Sequence, residues 1–209
     1  MEQGSAEWYA AKCGKVSASR INDVIAKGIG KAPSVSRANY MTELLCERLT
    51  GINAENFVSE PMLWGKKHEA AAREAYAFIE GNAVERAGFV DHPTIAMAGA
   101  SPDGLVEGGG LLEIKCPNTA THLDTIRTGE VPHKYIAQIH WQAACTRLTW
   151  CDFVSFDPRL TPELSYFRRR VTIDPAYVIE LELAVINFMV ELKTQLHALR
   201  DYVAKRRAA

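Results

Sequence analysis

The sequence predicts an α/β or α+β protein in which helices flank a central, mostly antiparallel or mixed sheet. Three observations lead there. Its 209 residues fit one domain, on a scale of about 100–200 residues per domain. A 47% hydrophobic fraction beside 23% charged residues supplies a sizeable core. Helical periodicity governs both ends of the chain, whereas residues 83–116 break into short β-prone runs separated by turn residues.

The elements follow in order. "SASRINDVIAK", residues 17–27, reads as a short helix beginning near Ser17 or Ser19, with Ile21, Val24 and Ile25 on its apolar face. "GIGKAPSVS" is a loop through Gly28, Gly30 and Pro33. Residues 36–50 form a second helix, capped by Ser36, stopped at Gly51 and turning Tyr40, Leu44, Leu45 and Leu49 inward. A third helix covers 64–80 and ends at Gly81. "AVERAGFV", "TIAMAG", "SPDGLVE" and "LLEIKC" then supply strands, with turns at Asp91-His92-Pro93 and Gly108-Gly109-Gly110. Residues 133–148 return to helical period through Tyr135, Ile136, Ile139 and Ala143. "CDFVSFD" and "SYFRRRVTI" are strands around a loop at Asp157-Pro158-Arg159. The last helix takes Asp174 as cap and Pro175 in its first turn, a placement helices favour, with Leu181, Val185, Phe188, Leu192, Leu196 and Leu199 as its stripe.

Composition excludes several functions without choosing one. No run approaches the ~20 apolar residues of a membrane span, and the opening residues lack a signal-peptide core, so a cytoplasmic location is expected. Cys13, Cys46, Cys116, Cys145 and Cys151 are scattered, with no Cys-x-x-Cys pair; reduced, packed thiols are expected rather than a zinc site or disulfide framework. With 24 basic and 25 acidic groups the net charge is −1, so a polyanion would have to meet a locally basic surface.

Chemistry concentrates in "GASPDGLVEGGGLLEIKCP", residues 99–117. Alternation places Glu113 and Lys115 on one strand face and Leu112, Ile114 and Cys116 on the other. Asp103 begins the facing strand across the glycine-rich turn, within reach of Glu113. Two such carboxylates repel unless a cation lies between them, and oxygen ligation suits a hard ion such as Mg²⁺. Lys115 beside that ion can orient or deprotonate its water, or stabilise charge developing on a phosphate. The alternative is an ordinary Asp-Gly turn and an exposed Glu-Lys pair worth under ~1 kcal/mol.

Pro102-Asp103 followed by Glu113-Ile114-Lys115 resembles the signature of the PD-(D/E)xK nuclease superfamily. "GKVSASRINDVIAK", "WGKKHEAA", "ASPDGL", "LEIKCP", "YIAQIHWQ" and "FDPR" resemble, in order, the segments of phage lambda-type recombination exonucleases. The resemblance implies a restriction-endonuclease-like core and an exonuclease digesting one strand of linear double-stranded DNA from its 5′ end, to leave a 3′ overhang. It implies two Mg²⁺ ions (with Mn²⁺ as a substitute) held by Asp103, Glu113 and the backbone carbonyl of Ile114, with Glu69 a further carboxylate near the second ion. Lys115 becomes the catalytic lysine, and Gln138 an active-site amide orienting water or phosphate. Lys12, Ser19 and Ser101 become the pocket for the 5′-phosphate, with lysine standing where the family pattern leads one to expect arginine. Lysine is a point charge rather than a fork, which weakens the expected 5′-phosphate selectivity.

The same resemblance implies a homotrimer ring around DNA, a single-strand annealing recombinase as partner, and a phage or prophage origin within a bacterial cytoplasm. Glu69 could instead pair with Lys66 or Arg73, and Ser17 or Ser19 could merely cap a helix. Rival functions are an endonuclease of the superfamily and an inactive DNA-binding relative. His133 and His140 lack a third ligand and read as structural. Arg168, Arg169 and Arg170 alternate on a strand, lining a DNA channel or solvating an edge; the second is preferred.

Overall fold

The structure, a computed structural model, describes residues 1–28, 34–53 and 60–208, and of residues 61, 62 and 208 the backbone only. The loop expected at Gly30 and Pro33 lies outside the described residues.

The first helix, α1 (Ala6–Lys12), has no apolar stripe to announce it; Ser5 caps it, accepting the Trp8 N–H at 3.2 Å. Next come strand β1 (Val16–Ser17), a 3₁₀ turn (Ala18–Arg20) and helix α2 (Ile21–Ile25). The helix expected over 17–27 is thus confined to its middle. Tertiary pairing overrides local pattern here: Val16 and Ser17 lie parallel to Ala98 and Gly99, and the Ser17 N–H goes to the Tyr40 hydroxyl at 3.1 Å. Neither serine makes a side-chain cap to this segment.

Helix α3 (Val35–Thr50) is capped by Ser34 rather than Ser36, through the Arg37 N–H at 3.1 Å, and closes at Gly51. Tyr40, Leu44 and Leu45 are buried as expected, but Leu49 is exposed. Helix α4 (Glu60–Glu80) starts a turn earlier than its periodicity suggested. The strands are β2 (Val84–Glu85), β3 (Val90–Asp91), β4 (Ala98–Ala100), β5 (Gly104–Val106) and β6 (Gly110–Lys115). Only the end of "TIAMAG" is strand. An unanticipated helix, α5 (Thr119–Thr128), is capped by Asn118 and stopped by Gly129. A 3₁₀ turn (His133–Tyr135), α6 (Ile136–Thr146), β7 (Trp150–Phe156), α7 (Pro162–Ser165), β8 (Tyr166–Thr172) and α8 (Pro175–Ala208) complete the chain.

The strands form two sheets, ordered β1-β4-β3 and β2-β5-β6-β7-β8. The larger is mixed, as expected: β6 and β7 run parallel and every other pair is antiparallel. A parallel pair needs a long crossover, which here carries α5 and α6. On one face α4 packs Ala72 and Tyr76 against Leu112, Ile114, Val154 and Phe156. On the other, Ile139 and Ala143 of α6 cover Leu111, Cys151 and Phe153. Full burial of each such large side chain contributes about 1.5–3 kcal/mol, so β6 is clamped from both sides. The stripe of α8 from Leu181 to Leu196 packs with α2, α3 and the smaller sheet, while Leu199 is exposed. No described helix is long and apolar enough to cross a membrane.

Candidate active site

The β5–β6 hairpin builds the site. Gly104 is registered with Leu112, which sets Asp103 across from Glu113. The connecting loop, residues 107–109, holds Gly108 at φ 89° and Gly109 at φ 86°, a left-handed region that side chains resist. Gly110 is already strand, and a Cβ there would meet the Trp150 ring at 2.1 Å. Asp103 Oδ2 accepts the Ile114 N–H at 2.7 Å, locking the acid onto the strand that carries Glu113 and Lys115.

Glu113 is wholly buried on the α6 side of β6. Its Oε1 accepts Gln138 Nε2 at 2.7 Å and its Oε2 accepts Gln142 Nε2 at 2.6 Å. The Lys115 ammonium pairs with Glu113 and sits 5.1 Å from the centre of the Tyr135 ring. Glu69, on α4, pairs with Arg73, whose Nε donates to the Asp103 carbonyl at 3.1 Å. Glu69, Asp103, Ile114, Lys115 and Tyr135 line one cleft of about 740 Å³, together with Trp64 and Arg159.

Burial and the neighbouring Glu113 charge push the Asp103 carboxyl well above the usual carboxylate range, with Lys115 opposing. Burial alone would lower the Lys115 pKa, but Glu113 and Asp103 outweigh it and raise it, so the side chain is an ammonium at neutral pH. Lys115 and Arg73 pair with Glu113 and Glu69, Lys134 and Arg159 also line the cleft, and the donors added around Glu113 are neutral amides. Among the described residues no three His, Cys, Asp or Glu side chains close round a single point as a finished metal cage. The donor set nonetheless fits a hard cation: acceptor oxygens only, with Glu69 and Asp103 on the cleft and the buried Glu113 beside Lys115.

The other expected residues are partly assembled. Ser101 and Lys12 meet through Trp8, whose Nε1 donates to Ser101 Oγ at 2.8 Å and whose ring lies 4.9 Å from Lys12 Nζ. Lys12 is buried and lines a small hollow with Ser17, which neither Ser19 nor Ser101 lines. Ser19 is exposed and reaches the group through Ser17, Oγ to Oγ at 3.4 Å. The segment between the sheets is pinned at each residue: Ser101 by Trp8, the Pro102 carbonyl by Gln3 at 2.9 Å, and Asp103 by Ile114.

His140 is structural as expected, bonded to the Ile136 carbonyl and the Asp174 N–H, and His133 is exposed. The arginine run is exposed on β8, the edge strand of the larger sheet, as the preferred reading has it. Two of its members also form ion pairs, Arg170 clasping the buried Asp152 at 2.9 and 2.8 Å and Arg168 reaching Glu80 at 2.9 Å. The Glu69–Arg73 pair is one that the sequence offered, whereas sequence reasoning missed Gln142 and the approach of Tyr135 to Lys115. A glutamine one turn beyond Gln138, on the same helix face, was the available signal for Gln142.

A family model described as a YqaJ-like viral recombinase domain matches residues 7–149. An alkaline exonuclease from Laribacter hongkongensis is 46% identical, with a TM-score of 0.89 over 96% of this chain and 99% of that one. The same enzyme in complex with dAMP superposes with a TM-score of 0.90 at the same identity and coverage. A phage-related exonuclease from Haemophilus somnus 129PT, 14% identical with a TM-score of 0.69 over 88% of this chain and 96% of that one, shares the fold. Among curated protein sequences none matches. The hairpin carrying Asp103, Glu113 and Lys115 lies inside the matched span, and the chain belongs to the YqaJ-like viral recombinase family of nucleases.

Proposed function

We propose that this protein is a Mg²⁺-dependent exonuclease that degrades one strand of linear duplex DNA from its 5′ end, releasing mononucleotides and leaving a 3′ overhang. The observation that carries this reading is the group of Asp103, Glu113 and Lys115: Asp103 and Lys115 line one cleft, and the buried Glu113 pairs with Lys115. The likeness to an alkaline exonuclease, also solved with dAMP, supports the same chemistry.

Asp103, Glu113 and the Ile114 carbonyl would hold the first Mg²⁺ or Mn²⁺, and Glu69 would serve a second. When bound, such ions polarise the phosphate and lower the pKa of the attacking water. Gln138 and Gln142 each grip one oxygen of Glu113, which stops that carboxylate from rotating. Lys115 keeps its positive charge beside the reacting phosphate, where charge develops in the transition state. Lys12, Ser19 and Ser101 would receive the 5′-phosphate. A homotrimeric ring on DNA and a single-strand annealing recombinase complete the reading, in a bacterial host cytoplasm.

The test is nucleotide release from linear duplexes with 5′-phosphate or 5′-hydroxyl ends, in Mg²⁺ or EDTA, beside covalently closed plasmid. Metal-dependent release from linear DNA, faster with 5′-phosphate and absent on plasmid, is the expected result. Cutting of the plasmid would replace exonuclease by endonuclease, and binding without any turnover would leave a DNA-binding protein.

A further inference from the structure

We infer that Arg159 and Trp64 form a second phosphate subsite, which holds the non-reacting DNA backbone phosphate next to the scissile one. The inference rests on the exonuclease reading and concerns residues to which that reading gives no task.

Both side chains line the cleft that contains Asp103 and Lys115, so a strand reaching the carboxylates meets them. Arg159 is fixed in advance. Its Nε donates to Asp157 Oδ1 at 2.7 Å and its Nη2 to Asp157 Oδ2 at 2.9 Å, while Nη2 also reaches the Pro117 carbonyl at 3.3 Å. Its guanidinium carbon lies 4.4 Å from the centre of the Trp64 ring, and that ring is backed by His68 with centroids 4.1 Å apart. Asp157 is fully buried, so this edge of the fork is committed to the protein.

The remaining nitrogen, Nη1, has no hydrogen-bond partner among the described residues, and the side chain is 44% exposed. An arginine locked on two sides, with one N–H pair left at the wall of a cleft, is organised to donate to an anionic oxygen without losing side-chain freedom. Asp157 offsets the formal charge of Arg159, and Lys134, on the same cleft wall, supplies another cation. A loop brace would need the Asp157 and Pro117 contacts alone. It would not need an aromatic plate and an uncommitted donor in the cleft that holds the acids. A nucleic-acid strand supplies the matching pattern, one phosphate at the carboxylates and the next at the arginine.

The experiment replaces single phosphates near the 5′ end of a duplex with neutral methylphosphonates and measures KM and kcat. With the wild-type protein, neutralising the phosphate beside the scissile one should raise KM about tenfold, the size of one charge-assisted hydrogen bond. Arg159→Lys keeps the charge beside Asp157 but loses the fork. It should raise KM on native DNA by a similar factor and be indifferent to that methylphosphonate, because the contact is already gone. Losses that add in full, or a wild-type scan with no sensitive neighbour, would overturn the subsite. Should Arg159→Lys fail to fold, the wild-type scan decides alone. Absence of cleavage of native DNA by the wild type would remove the exonuclease reading and the subsite with it.

Discussion

Two carboxylates lie buried on adjacent strands of the larger sheet, Glu113 on β6 and Asp152 on β7, and they are treated in opposite ways. Asp152 receives cations: Arg170 grips it through two bonds, Arg168 approaches at 3.7 Å, and the Tyr76 hydroxyl donates at 2.8 Å. Burial opposes its ionisation, but Arg170 and Tyr76 outweigh burial and hold its pKa below the ordinary value. Glu113 receives two amides, which satisfy lone pairs without bringing charge, and shares a single ammonium with Asp103. The cost appears at Asp103, whose carboxyl is pushed up. A carboxylate neutralised by the protein holds the fold together; one surrounded by neutral donors keeps its demand for positive charge and can pass it to a ligand.

That contrast can be broken at three points, in descending order of effect. Asp103→Asn should cut DNA cleavage on the order of 10³-fold, the scale set by loss of one electrostatic partner in a transition state. The same change relieves repulsion with Glu113, so the thermal midpoint should rise; a lower midpoint with cleavage per folded molecule retained would class Asp103 with Asp152 as a structural acid. Asp152→Asn should do the reverse. Arg170 and Arg168 are partly exposed and water can solvate them, so losing their buried partner should cost about 1–2 kcal/mol in urea denaturation, with cleavage per folded molecule retained. Lost activity in the folded variant would blur the distinction between the two acids.

The smallest effect concerns Asp157, which the protein also neutralises. Burial raises its pKa, but Arg159 and Thr119 outweigh burial and bring it to about 2. A folded pKa below the unfolded value of about 3.9 means that acid protonates the unfolded chain first. Its stabilisation is therefore present above about pH 4 and lost as pH falls toward about 2. The stability gap between wild type and Asp157→Asn should narrow over that window, and a gap independent of pH would assign Asp157 a role through shape alone.

The hairpin was legible because its signals are local: a Pro-Asp, a glycine turn and an alternating strand lie within 15 residues of one another, 102–116. Asp103 meeting Glu113 follows from strand register alone. Gln142 and Tyr135 were not legible in that way, since their part depends on which side of α6, and of the turn before it, faces β6, and only packing decides it. Helices α1 and α5 were missed because both are short and lack an apolar stripe. The start of α2 was misplaced because β4, some 80 residues distant along the chain, holds Val16 and Ser17 extended.

One further consequence lies in the three residues between β4 and β5. Pro102 brings no N–H to a ladder, and the chain changes sheets there, with every residue from Ser101 to Asp103 tied down. Two residues of chain reach at most ~7 Å, comparable with the separation of neighbouring phosphates along a nucleic-acid strand. On the proposed reading Ser101 touches the terminal phosphate and Asp103 serves the bond to be cut. This rigid strap is then a ruler, and the length of each bite is set by the spacing of the protein's own backbone.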